Sequence, residues 1–279
     1  MGGCGVSVTS ESALLVSLVT PHDAQGRIDL PRLRAHVLWL AAQGIDGFVA
    51  TLTAGELPYL TDREKEAVHR TVLDAAGGRA VYACTWDPSP ATATWLTRNA
   101  LDGGAAGVVL PPPLYVDLDD DAIEDWFVSM APEAGGLVAY HHPAYVRATV
   151  SAALMDRLQA RRVLSGVLDA SEDVWRLQRT ARAKPGFVLA GGDRVLTSLR
   201  DLPLRAVVSE LANAWPSLCL RAWREGDADL GDALLDRVSR LRRAGGPRAL
   251  KALLRMGSRR PLIAPPDAAL EGLPAAELP

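Results

Sequence analysis

The sequence predicts an α/β protein built as a closed (β/α)8 barrel with a C-terminal helical extension. Three observations lead there. Eight apolar runs of strand length recur along the chain, amphipathic helical stretches separate them, and the 279 residues suit one closed core of roughly 250 residues better than two ordinary domains. The runs are almost continuously apolar, as strands buried on both faces of a parallel sheet must be.

The runs are ALLVSLV (13–19), GFVATL (47–52), AVYACTW (80–86), GVVLPP (107–112), GLVAYH (136–141), LSGVLDA (164–170), GFVLAGG (186–192) and RAVVSEL (205–211). Between the first two, Leu33, Val37, Leu40 and Ala41 form a stripe that closes at Gly44, the pattern of a helix burying one face. Pro31, just after Asp29, suits a first helical turn. Thr61-Asp-Arg-Glu64 is a capping box, in which threonine and glutamate side chains satisfy orphan backbone donors. Ile123, Trp126, Phe127 and Met130 recur at helical spacing and read as core. After the eighth run the pattern predicts helices over 216–225, 228–243 and 247–256, which cap the barrel or mediate assembly. The chain thus divides into an N-terminal segment (1–12), the barrel (13–215), C-terminal helices (216–260) and a Pro/Ala-rich tail (261–279), the last expected to be only partly ordered.

Charged residues make up 23% of the chain and the formal net charge is -3, so no basic field of the kind nucleic acid demands is present. Lys65, Lys184 and Lys251 are the only lysines; arginine supplies the rest of the 30 basic side chains. Cys4, Cys84 and Cys219 are odd in number and far apart, which predicts reduced thiols in a cytoplasmic protein. The opening MGGCGVSVTS lacks the basic and long apolar regions of a signal peptide, and no apolar run is long enough to span a membrane.

The fifth run ends abruptly in Tyr140, His141, His142 and Pro143. A strand that delivers polar, reactive side chains at its C-terminal end places them on the rim where such barrels do chemistry. Alternation along the strand puts Tyr140 and His142 on one face and His141 on the other.

The strand ends taken together resemble the dihydrodipicolinate synthase and N-acetylneuraminate lyase family of class I aldolases. The resemblance runs from about Leu14 to Pro265. It includes LVTP at the first strand with Gly26 and Asp29 after it, and Thr53-Ala54-Gly55-Glu56 with Leu60-Thr61 where the family has a Gly-Thr-Thr-Gly-Glu loop. Pro112-Pro113-Leu114-Tyr115, Tyr140-His141-His142-Pro143 for the family's Tyr-Asn-x-Pro, Gly191-Gly192-Asp193, Ala212-Asn213 and Ala249-Leu-Lys-Ala252 follow in order. No one motif is decisive; order and spacing together are fairly specific. The resemblance implies a TIM barrel, assembly as a homodimer or homotetramer, a small-molecule substrate, and a strand-six lysine that forms a Schiff base with a 2-oxo acid.

This sequence departs at that lysine. Aligning Gly166-Val167-Leu168-Asp169-Ala170 with the family's Gly-Ile-Lys-Glu-Ala puts Leu168 at the position, and a leucine can neither attack a carbonyl nor serve as an electron sink. None of the three lysines is expected to reach the pocket. Ala54 stands where the loop's second threonine belongs, Leu52 replaces the glycine before the loop, and Tyr145 occupies the place of a substrate-binding arginine. Arg147 lies nearby but out of alignment. Thr53, Tyr115 and Tyr140 match the family's proton-relaying threonine and two tyrosines, one of which reaches across a dimer interface.

The sequence therefore points to Schiff-base-independent lyase chemistry: aldol or retro-aldol reaction, dehydration or cyclisation of a small carbonyl compound. Tyr140 is acid or base, Thr53 and Tyr115 its relay, His142 a second proton carrier. Ala54, Gly55, Tyr145, Leu168, Leu52, Gly192 and Asp193, with Trp86 beside them, line a site more apolar than pyruvate requires. No cofactor is called for. One alternative is a non-catalytic barrel that binds a ligand or partner. Another is a metal-assisted lyase in which His142 joins Asp193, Glu56 or His141 around a divalent ion, although the spacing matches no ligand signature.

Overall fold

The computed structural model describes residues 12–114, 116–131, 135–226, 228–259, 270–271 and 273–277. Cys4, Tyr115, the N-terminal segment before Ser12 and most of the Pro/Ala-rich tail lie outside the described residues.

Eight strands, β1 (Ala13–Ser17), β2 (Gly47–Ala50), β3 (Ala80–Cys84), β4 (Gly107–Leu110), β5 (Leu137–His141), β6 (Leu164–Asp169), β7 (Val188–Gly191) and β8 (Ala206–Ser209), form a closed barrel. Each pairs in parallel with its sequence neighbour, and β8 closes on β1 with Val16 opposite Ser209. Every apolar run in the sequence supplies one strand. Helices α1 (Leu30–Ala42), α2 (Asp62–Ala75), α3 (Pro90–Asp102), α4 (Asp120–Met130), α5 (Ala152–Ala160) and α6 (Val174–Ala183) follow the first six strands.

Local signals explain the helix starts. Asp29 accepts from the Arg32 backbone N–H, with Pro31 inside the first turn of α1, and both halves of the Thr61/Glu64 capping box are made at α2. Ile123, Phe127 and Met130 bury the inner stripe of α4. Trp126, at the edge of that stripe, donates its indole N–H to the Pro111 carbonyl at 3.2 Å.

Between β7 and β8 the regular alternation breaks. A 3₁₀ turn, Asp193–Val195, stands where a helix is due. After β8 come α7 (Pro216–Glu225), α8 (Ala228–Arg243) and α9 (Pro247–Leu253). α7 joins the outer shell: Arg224 pairs with Asp46 ahead of β2 at 3.3 Å, and Trp223 donates to the Ser12 carbonyl at 2.8 Å. α8 instead packs against the short β7–β8 turn, where Gly231 lets the helix approach Thr197. α8 and α9 therefore cross the C-terminal mouth of the barrel as a roof.

A buried charge cluster fixes that roof. Glu56, at the end of the loop after β2, and Lys251 on α9 are both fully buried, with Nζ 3.2 Å from Oε1. The Glu56 carboxylate also accepts from the Ser258 hydroxyl and from the Arg259 backbone N–H at 2.9 Å. Burial pushes the carboxyl upward, but the Lys251 charge and these donors outweigh it and hold the group below the ordinary glutamate value. Lys251 further donates to His22 Nδ1 at 3.1 Å; burial, then the lysine charge, lowers the affinity of that imidazole for a proton.

Removing one member of such a pair leaves a buried charge uncompensated. K251A is expected to cost about 3–5 kcal/mol of stability, read as a fall in the urea midpoint at unchanged slope. The double variant E56Q/K251M, which removes both charges, is expected to lose less than K251A alone.

Candidate active site

The strand ends and the roof enclose a cavity of about 630 Å³, within the size range of small-molecule sites. Its floor is set by register. Tyr140 on β5 lies opposite Leu168 on β6, and both line the cavity. His142 lines it too, whereas His141 turns to the outer face, where it is buried beside Asp169 and Arg176.

The wall beside Tyr140 is built by the loop after β2. Thr51 adopts a left-handed backbone (φ 54°) and is fully buried, a conformation a β-branched residue holds only when its surroundings enforce it. Its hydroxyl lies 2.6 Å from His69 Nε2 on α2 and 2.9 Å from the Cys84 carbonyl. Burial drives the His69 imidazole down to about 4, so it is neutral in this clamp. The turn aims Thr53 across the cavity, where Thr53 Oγ1 and Tyr140 OH share a hydrogen bond of 2.9 Å.

Burial raises the Tyr140 phenol well above its ordinary value, against the opposing Thr53 hydrogen bond, and the Glu210 charge adds to the rise. Tyr140 is therefore a protonated donor at neutral pH, not a phenolate base. His142 moves the other way: burial lowers its imidazole below 6.5, leaving it neutral and able to accept a proton. Its ring lies edge-on to Tyr140 (centroids 5.8 Å apart) and tilted against Tyr145 at 4.4 Å.

Leu52, Gly192 and Asp193 complete the set of sequence-expected residues found on the cavity wall. Asp193 braces the rim: its carboxylate accepts from the Ser209 hydroxyl and from the Glu210 and Leu211 backbone N–H groups at 3.1 and 3.0 Å. Desolvation outweighs these bonds and pushes the carboxyl up from 3.8 to about 6.

Ala54 and Gly55 do not reach the cavity. The left-handed turn folds their segment back on itself, so that a Cβ on Gly55 would meet Thr51 Cα at 2.8 Å. The glycine serves close backbone approach, not substrate contact. Trp86 is buried away from the cavity, its carbonyl accepting from Lys65, and Arg147 pairs with Asp117 on the surface. No lysine lines the cavity: Lys65 is held by Asp87 at 2.8 Å, Lys184 by Asp156 at 2.6 Å and Lys251 by Glu56. The metal set considered from sequence does not assemble, since Glu56 and His141 lie off the cavity. Among the described residues no three His, Cys, Asp or Glu side chains come together as an ion would need.

Sequence reasoning missed the rim residues Glu172 and Glu210 and the roof residue Arg242, all of which line the cavity. Glu172 lies four residues beyond Leu168, close enough to have been flagged. Arg242 sits in the Arg240-Leu-Arg-Arg243 run of α8, which reads equally well as a solvated face.

A closed parallel barrel with a helical roof and a cavity at its strand ends defines a (β/α)8 barrel with a small-molecule site on its C-terminal face. Among such barrels, the chain belongs to the dihydrodipicolinate synthetase family, which residues 10–256 match. It is 34% identical to the 4-hydroxy-tetrahydrodipicolinate synthase of Acidiphilium cryptum over 80% of this chain and 79% of that protein. Identity to the Moorella thermoacetica enzyme of the same name is 32%, over 79% of this chain and 78% of that one. Among solved structures, a catalytic lysine mutant of Ruminococcus gnavus sialic acid aldolase has the same fold, with a TM-score of 0.85 at 20% identity over 94% of this chain and 92% of that chain. Among the described residues no helix is long and apolar enough to cross a membrane.

Asp193 gives a pH test. Its carboxyl binds protons more tightly folded than unfolded, so its contribution to stability is full below about pH 4 and is lost as pH rises through about 6. In urea titrations from pH 4 to 7, D193N is expected to gain on the parent by up to about 3 kcal/mol across that window, the gain levelling off above it.

Proposed function

We propose that this barrel is a lyase that works without a Schiff base, using Tyr140 as the acid on a substrate carbonyl, Thr53 as its relay and His142 as the base. The 2.9 Å Thr53–Tyr140 hydrogen bond on the wall of a cavity whose β6 position is Leu168 carries the reading. In a retro-aldol reaction, neutral His142 takes the proton of the substrate's hydroxyl group as that oxygen forms a carbonyl. The electron pair of the breaking carbon–carbon bond passes to the second carbonyl as an enolate. Tyr140 donates to the enolate oxygen, and Thr53 donates in turn to the phenolic oxygen, spreading the charge that a lone phenol would hold. As the enol oxygen returns its proton to Tyr140, the imidazolium gives its own to the enol carbon, so the second product leaves as a carbonyl compound and both residues end as they began. The aldol direction reverses each step.

The reaction differs from that of the relatives in one respect. Where a lysine catalyst expels the carbonyl oxygen as water, here the oxygen stays on the substrate throughout, and a donor fixed beside it becomes the electron-sink partner. Tyr140, held protonated by burial, suits that task. Tyr115 matches the family's second tyrosine, and we include it in the relay on that resemblance alone. Leu52, Leu168 and Tyr145 favour a substrate more apolar than pyruvate, and Gly192 and Asp193 shape the opposite rim.

Proton exchange tests the reading without a known substrate. In D2O the parent protein is expected to exchange α-protons of medium-chain ketones and oxo acids, followed by proton NMR, and Y140F to slow this about 10²-fold or more. Borohydride added with pyruvate or larger 2-oxo acids is expected to leave the intact mass unchanged. A stoichiometric reduced adduct would overturn the proposal, because a lysine would then be forming an iminium. Failure to exchange any carbonyl compound would favour the non-catalytic barrel.

A further inference from the structure

The roof carries one cation into the cavity. Among the described residues Arg242 is the only arginine or lysine on the lining, and it sits at the mouth, its side chain 51% exposed, above a floor where Tyr140 is 6% exposed. Arg242 donates from Nη2 to Glu172 Oε1 at 2.5 Å. Backbone geometry is arranged around this contact. Glu172 adopts a left-handed conformation, φ 57°, which a non-glycine residue holds only when its surroundings enforce it. Opposite it Gly192 has φ 110°, and a Cβ there would lie 2.6 Å from Glu172 Oε1 and 2.7 Å from its Cγ. One residue accepts strain and another gives up its side chain so that a carboxylate can hold the guanidinium over the cavity.

A guanidinium has five N–H donors in a planar fork, and one is engaged by Glu172. The others match a second carboxylate. The rest of the charge on the lining is acidic: Glu172 and Glu210 belong to it with Asp193, and the field of Glu210 reaches Tyr140. A carboxylate attached directly to the reacting carbonyl would be drawn down among these acids. A carboxylate at the mouth meets the arginine, while the remaining lining, Leu52, Leu168, Val208, Val238 and Leu241, accepts a hydrocarbon chain.

We infer that Arg242 is the carboxylate-binding residue of this site, and that its substrate class is a monocarboxylic oxo acid whose carboxylate is separated by several carbons from the reacting carbonyl. The inference rests on the cavity being the reacting site as proposed above. It assigns orientation: acid group at α8, carbonyl at Tyr140.

Calorimetric binding of pyruvate, 4-oxopentanoate, 6-oxoheptanoate, 8-oxononanoate and the neutral 2-nonanone to the full chain tests this. Affinity is expected to rise along the acid series, with the longest acid at least tenfold tighter than pyruvate. R242Q is expected to weaken the long acids roughly tenfold or more, the loss of one charge-assisted contact, and to leave 2-nonanone unchanged. Pyruvate binding as well as the long acids would overturn the inference, as would an R242Q variant that keeps its acid affinity or loses acid and ketone alike. The two proposals fail separately. Acids that bind through Arg242 while Y140F exchanges α-protons as fast as the parent would sink the relay and leave the carboxylate site standing. A slow Y140F with no Arg242 effect on binding would do the reverse.

Discussion

The buried pairing of Glu56 with Lys251 is the constraint from which both halves of the cavity hang. Glu56 ends the loop that carries Thr53, and Lys251 belongs to α9, the second helix of the roof. Two opposite charges without water must stay in contact, because separating them exposes each to an environment that cannot solvate it. The loop and the roof therefore keep one relative position, and the Thr53–Tyr140 contact is framed by a rigid lid. The Thr51–His69 clamp does the same on a smaller scale, holding a strained turn that only its surroundings stabilise.

Desolvation sorts the titratable groups on the cavity wall into roles. The same burial raises a phenol and lowers an imidazole, so Tyr140 keeps its proton and His142 gives up its own. A protonated phenol and a neutral imidazole thus stand with ring centroids 5.8 Å apart on the cavity wall at neutral pH. Leu168, buried and apolar, lies opposite Tyr140 in the strand register.

Much of this was legible in the sequence, for reasons that are local. Strand runs such as GVVLPP and GFVLAGG are apolar because both faces are buried, and the Thr61 box is complete within four residues. The alternation that parts Tyr140 and His142 from His141 needs only a strand. That Ala54 and Gly55 stand off the cavity wall is not legible in sequence, because their turn depends on Thr51, His69 and Cys84, which are far apart along the chain. The Arg242–Glu172 contact spans 70 residues and leaves no periodic trace. Nor does spacing reveal that β7 and β8 are joined without a helix, since the α8 sequence looks like any amphipathic surface helix.

That missing helix separates two kinds of inheritance within one chain. Tyr140 and Leu168 stand on strands whose side chains must also fill the barrel interior, so a change there disturbs the packing of the whole fold. The roof residues stand on a helix that answers to the barrel only through its inner stripe and the buried pair behind it. Substitutions along the cavity-facing turns of α8 can therefore drift without unsettling the strands below. A barrel of this design is open to rapid change in the lining of its mouth while its floor changes slowly.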